Sequence, residues 1–230
     1  MRRSLIALLM VSLLLVTGGQ GALAGTTHRS TKPPANATTT TTVMGGGKPA
    51  TWPAAKPYPP SLAGAYSPNM KTAFLTLTRY SDWVGSHPNP NLVINYAAPS
   101  SDIFAAQKYL MAQMKKRGWH LPPTPTQIDF LVVTEKPILL HGKHGNVLSV
   151  GHRRAYTSGA VDVVVRQVTE PYLDASDRVV GHTAKGTGPK AWRVTLAQRV
   201  ANGQFVISGY YAILLHESLQ RWEQEIVNKR

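Results

Sequence analysis

Around the proline-broken stretch Leu121 to Thr126 the apolar residues of this 230-residue chain change their period, and that switch limits the folds open to it. Before the prolines, Met70, Phe74, Leu77 and Val84 recur at helical spacing, and so do Ile103, Leu110 and Met114. After them the pattern alternates. Ile128 to Glu135 and Val147 to Arg154 read as strands, and in Ala160 to Thr169 the residues Val161, Val163 and Val165 face one way while Asp162, Val164 and Arg166 face the other. Trp192, Val194 and Leu196 alternate in a further strand, and Asn202-Gly203 turns the chain into a last one with Phe205 and Ile207. Helices first and neighbouring antiparallel strands afterwards predict an α+β domain.

Local signals place the helix ends. Ser67-Pro68 reads as a cap followed by proline at the first helical position, and Gly85 with His87-Pro88 closes that helix. Asn89-Pro90 repeats the signal and opens a short helix through Leu92, Val93 and Tyr96. Ser101 caps a third helix, which Lys115-Lys116-Arg117 suit at their end of the helix dipole and Gly118 stops. In the tail, residues 216–230, the spacing of Leu215, Leu219, Trp222 and Ile226 predicts a helix that packs on the sheet or offers its stripe to a partner.

The start of the chain is organised differently. Arg2 and Arg3, the apolar run Leu5 to Val16 and Ala22-Leu23-Ala24 have the layout of a secretory signal over residues 1–24, either cleaved or retained as an anchor. Residues 25–60 hold the threonine run Thr38 to Thr42, the triplet Gly45-Gly46-Gly47 and a Pro/Ala/Lys stretch, a composition that predicts a disordered spacer. The folded domain then covers residues 61–215. A secreted or extracytoplasmic location follows from the signal, with membrane contact confined to the N-terminal segment if it stays uncleaved.

Cysteine is absent, which excludes disulfides, thiol nucleophiles and cysteine-held zinc or iron–sulfur centres. With 25 Lys+Arg against 11 Asp+Glu, the net charge of +14 attracts anionic surfaces. For an exported chain these are lipid head groups, cell-wall polymers and acidic polysaccharides, so the expected partner is an anionic cell-envelope polymer or a protein partner. No aromatic-interleaved motif supports sequence-specific nucleic-acid binding. His141, His144 and His152 read as loop histidines rather than a metal set, and Lys185 to Lys190 lacks the ending of a phosphate loop. No cofactor or metal is expected. The anion-binding candidates are Arg153, Arg154, Arg166, Arg193 and Arg199, gathered on an outer sheet face.

The helical stretch Arg79-Tyr80-Ser81-Asp82-Trp83 through His87-Pro88-Asn89-Pro90, and the closing hairpin from Ala191-Trp192-Arg193-Val194 across Asn202-Gly203 to Tyr210-Tyr211, resemble the NTF2-like superfamily, which includes SnoaL-like and ketosteroid-isomerase-like domains. The resemblance implies helices covering a curved antiparallel sheet to form a cone, with an apolar small-molecule pocket near Tyr80, Trp83, Phe130 and Trp192, or those four as plain core. It admits isomerases and dehydratases, for which Asp129 or Asp162 would sit in the cone beside Tyr80, Tyr96, Tyr156 or Tyr210. It equally admits non-enzymatic transport and assembly domains. The expected function is a non-catalytic, envelope-associated binding domain. The alternatives are a structural subunit of a secretion or conjugation complex, and an isomerase-type enzyme using a pocket carboxylate.

Overall fold

A computed structural model describes residues 55–183 and 188–215. The signal segment, the spacer up to residue 54, the Lys185 loop and the tail helix lie outside the described residues. After a single 3-10 turn, Ala63–Tyr66, helix α1 runs Met70–Ser86. Its cap is Asn69, two residues beyond the expected Ser67. The Asn69 side chain accepts from the Thr72 N–H at 3.2 Å, while the Ser67 hydroxyl accepts from the Asn69 N–H at 3.1 Å. Gly85 stays inside the helix, which ends because the residue before Pro88 is driven out of helical geometry. A 3-10 helix, Pro90–Asn95, follows with Asn89 as its cap. Ser101 then caps α2, Asp102–Arg117, by accepting from Phe104 N–H at 3.2 Å, and Gly118 terminates it in the left-handed region at φ 65°.

The strands are β1 (Ile128–Glu135), β2 (Ser149–Val150), β3 (Arg153–Arg154), β4 (Gly159–Gln167), β5 (Pro171–Leu173), β6 (Val179–His182), β7 (Gly188–Gln198) and β8 (Phe205–Ile213). The antiparallel sheet has the order β1-β4-β7-β8, a meander interrupted by two small hairpins, β2-β3 and β5-β6. The pleat sends Val161, Val163, Val165, Trp192, Val194 and Leu196 to one side. There they pack with Phe74, Leu77, Tyr80 and Val84 of α1 and with Leu110 and Met114 of α2 in one buried core. The other side carries a smaller cluster of Phe130, Val164 and Ala191, joined by Val132, Ile213 and Leu215. Register shifts interrupt β1 near both ends and the β7-β8 pair at Thr195/Leu196. Such bulges bend and twist a strand.

The expected strand Val147 to Arg154 is two strands with a turn between them. Gly151 and His152 both have positive φ, 54° and 65°, which reverses the chain after Val150. A Cβ on Gly151 would overlap Asn202 Cα, so the turn is also wedged against the β7-β8 connection. The hairpin β5-β6 has no counterpart in the expected pattern. Its strands are too short to show alternation, and Leu173 is tied to His120 by a pair of backbone hydrogen bonds of 2.9 and 2.8 Å.

Candidate functional site

Ser81 and Asp82 lie on α1 beside Gly85, and Gln107, Leu110 and Met111 lie on α2. Together with the loop Leu121 to Thr126 and Glu170, they line a cavity of about 60 Å³. That is room for about two waters. Asp82 holds the loop in place: Thr126 donates to its two oxygens, N–H at 2.8 Å and Oγ1–H at 2.6 Å. Burial nevertheless raises the Asp82 carboxyl to about 6, outweighing the two hydrogen bonds. Glu170 is pushed up to about 7, first by burial and then by the Asp82 charge, against a hydrogen bond from Thr124. Tyr96 donates to Gln107 Oε1 at 3.3 Å, and burial, the main cause, holds its hydroxyl above the usual range. Burial does the same to Tyr210, helped by Tyr96 and Asp82. The arrangement is a pair of coupled carboxyls able to hold a proton near neutrality, backed by tyrosines that stay protonated.

This acid pair was not among the expected residues. Asp129 instead accepts from exposed Arg166 at 3.3 Å. Asp162 is fully buried, but on the sheet side away from α1, where Arg193 Nε and Nη2 reach its two oxygens at 2.8 and 3.1 Å. A signal for Asp82 existed in the sequence, since on α1 it lies four positions from Thr78 and three from Gly85, both small and buried. Glu170 had none, because only the β5-β6 hairpin brings it to the helices.

Of the four expected pocket aromatics, Tyr80 and Trp83 come together at 6.1 Å between ring centroids. Tyr80 accepts from Asn95 Nδ2 at 2.8 Å, and Trp83 donates its indole N–H to the Lys56 carbonyl at 2.8 Å, tying down the residues before the domain. Trp192 belongs to the same core, opposite Val163 of β4, whose other neighbour is Leu131 of β1. Phe130 belongs to the cluster on the opposite face. The register shift between Ile128 and Phe130 pairs Phe130 with Val164, an outward residue, and so separates it from the other three.

The arginines divide as well. Arg166 and Arg193 do leave the helix side, each neutralised by an aspartate. Arg153 lies instead over the Tyr66 ring, 3.8 Å from its centroid. Arg199 follows β7, with Nε and Nη2 buried and unpartnered among the described residues; burial lowers its pKa. Arg154 is exposed on β3. The five therefore form no single outer sheet face. Two of them, Arg153 and Arg154, belong to a denser cationic stretch, residues 136–158 between β1 and β4. Lys136, Lys143, Arg153 and Arg154 are all exposed there, and no acid occurs between Glu135 and Asp162. The segment is ordered by its own backbone hydrogen bonds, including Leu148 N–H to Leu140 O at 3.0 Å and Leu140 N–H to Ala155 O at 2.9 Å. Gln198 clamps it to the main sheet, accepting from Tyr156 N–H at 2.6 Å and donating to Arg154 O at 3.2 Å. His141, His144 and His152 are exposed on it, and among the described residues no three ligands converge to hold a metal ion.

The sequence matches no protein-family model and no curated protein. Among solved structures, the chain is similar to the intermembrane-space region of the chloroplast protein ARC6, with a TM-score of 0.38 and 8% identity, over 64% of this chain and 96% of that one. Among the described residues no helix is long and apolar enough to cross a membrane. Function therefore rests on the residues themselves.

Proposed function

We propose that the protein is an extracytoplasmic, non-catalytic binding domain of NTF2-like architecture, attached to an anionic component of the cell envelope through the cationic segment 136–158. The observation that carries this reading is a filled interior. The space between helices and sheet is occupied by Phe74, Leu77, Trp192, Leu196, Phe205 and their neighbours. The cavity lined by Asp82 and Glu170 is only about 60 Å³, against several hundred for a small-molecule site. Helices on one face of a bulged antiparallel sheet support the architecture, and the signal-like residues 1–24 support the location. Surface attachment then needs cations that are not already neutralised, and apart from exposed Glu135 beside Lys136 no acid accompanies Lys136, Lys143, Arg153 and Arg154 along their stretch of chain.

A second reading keeps one observation in its favour. Coupled carboxyls beside protonated tyrosines are the groups an isomerase-type reaction uses, with Asp82 and Glu170 in place of Asp129 and Asp162. The size of the cavity weighs against it, since about 60 Å³ is far below the several hundred of a small-molecule site.

The test compares two four-fold variants of the full chain on immobilised dextran sulfate across a salt series. One replaces Lys136, Lys143, Arg153 and Arg154 by Gln, the other Lys71, Arg79, Lys115 and Lys116, all exposed on the helices. The first variant is expected to lose about tenfold or more in affinity and the second about threefold or less, because each clustered cation contributes to one contact. Equal losses would mean that the net charge alone attracts the polymer, and the reading would fall.

A further inference from the structure

Residues 136–158 expose more than charge. Ile138 is 69% exposed, Leu140 36%, Val147 43% and Leu148 44%, in a segment held by short antiparallel pairings. Ile138 and Leu140 are two apart on one extended run, and Leu148 stands opposite Leu140 through the 3.0 Å hydrogen bond between them. The pleat therefore puts these three aliphatic side chains on one face, with Val147 on the reverse. Leu139 and Tyr156 are paired across the base, and Tyr156 packs on the main core. The segment thus has an apolar anchor of its own in Leu139 and Tyr156.

The hairpin β5-β6 makes the useful contrast. It exposes Val179 at 52% and Val180 at 41%, but Glu170, Asp174 and Asp177 accompany them. Among the described residues, segment 136–158 gathers four exposed aliphatics, Ile138, Leu140, Val147 and Leu148, with four exposed cations and no acid of its own. A soluble polyanion satisfies the cations and leaves the aliphatics in water. A bilayer with anionic lipids answers both, because phosphate lies at its surface and hydrocarbon a few ångströms below. A protein interface of this kind is ordinarily centred on exposed aromatic anchors, and Tyr156, the single aromatic of the segment, is turned to the core.

We infer that segment 136–158 docks on an anionic phospholipid bilayer, with Ile138, Leu140 and Leu148 entering the interface and Lys136, Lys143, Arg153 and Arg154 on the head-group phosphates. This rests on the proposed envelope attachment and names its partner. It adds a membrane contact within the folded domain to the one expected of the N-terminal segment.

The experiment uses the full chain and vesicles of roughly three parts phosphatidylcholine to one of phosphatidylglycerol. Because the chain has no cysteine, Leu148→Cys carries an environment-sensitive dye at a unique thiol, with Lys71→Cys on α1 as the control position. The dye at position 148 is expected to shift to the blue on these vesicles and not on pure phosphatidylcholine, while the dye at position 71 stays unchanged. The local readout separates this contact from any made by the N-terminal segment. The triple variant Ile138→Ser, Leu140→Ser, Leu148→Ser is expected to bind the vesicles about tenfold or more weakly, while its retention on dextran sulfate and its Tm stay at the wild-type values. Undiminished vesicle binding by the triple variant would overturn insertion and leave attachment by charge alone. A blue shift with poly-glutamate but not with vesicles would overturn it in favour of an acidic protein chain. Absence of binding to both vesicles and dextran sulfate would remove the envelope reading together with the inference.

Discussion

Asp162 has no exposed surface, yet the sequence puts it in the middle of an alternating valine strand. The two-pronged contact from Arg193 on the neighbouring strand is what makes a carboxylate tolerable there. The two residues are directly opposite each other in the β4-β7 register, so the pairing is set by the sheet and not by the helices. Buried pairs are weak stabilisers as a unit but costly to halve. Arg193→Ala is expected to lower unfolding stability by about 3 kcal/mol, while replacing both residues by valine stays within about 1 kcal/mol of the wild type. Urea unfolding of the two variants checks this. Equal losses in both would mean that the pair as a whole, and not its charge balance, holds the strands.

At the scale of elements, the small turn at Gly151-His152 decides how residues 136–158 lie. Gly151 combines a φ of 54° with a backbone neighbour, Asn202, where a side chain would go. Gly145, in the same segment, has a φ of 73° but open space around it. Gly145→Ala therefore bears only the conformational cost of about 1 kcal/mol, whereas Gly151→Ala adds a clash with the β7-β8 connection and is expected to cost about 2 kcal/mol or more. Hydrogen exchange at the Leu140 and Leu148 amides should speed up in Gly151→Ala and stay slow in Gly145→Ala. Fast exchange in neither variant would show that Gln198 and the core contact of Tyr156 suffice to hold the segment. Helix ends, by contrast, were legible in advance: Asn89, Ser101 and Gly118 do what their residue types predict. The α1 cap moved by two residues because Asn69 is an equally good acceptor at the position where the chain turns helical.

For the whole molecule, the Asp82–Glu170 pair links α1, the Leu121 to Thr126 loop and the β5-β6 hairpin, and it makes stability depend on pH. Both carboxyls have folded-state values, about 6 and about 7, above their ordinary 3.8 and 4.5. The folded state therefore binds more protons than the unfolded state between about pH 4 and pH 7. The stabilisation from these two groups is fully present below pH 4 and is lost as the pH rises through 7. Tm is expected to be several degrees higher at pH 5 than at pH 8. Asp82→Asn should flatten that dependence and bring the Glu170 carboxyl down toward its ordinary range, read by NMR titration. A Tm that rises from pH 5 to pH 8 would show that other groups titrating in that window outweigh this pair.

The sequence by itself determined the α+β order, the helix boundaries to within two residues, the inward and outward faces of β4 and β7, and the lack of any thiol chemistry. Each of these depends on neighbours a few positions away, through caps, turn geometry and the two-residue pleat. Only the tertiary structure decided which side of the sheet Phe130 joins, since a bulge at the start of β1 resets its register against β4. It alone brought Asp82 and Glu170 to one cavity, because the β5-β6 hairpin packs back against His120. It also dispersed the five arginines: a basic residue's face is local, but the acid that neutralises it stands on another strand. Lys136 to Ser158 read as a strand between loops, and folding turned that stretch into a surface where apolar side chains and cations without acids are held together.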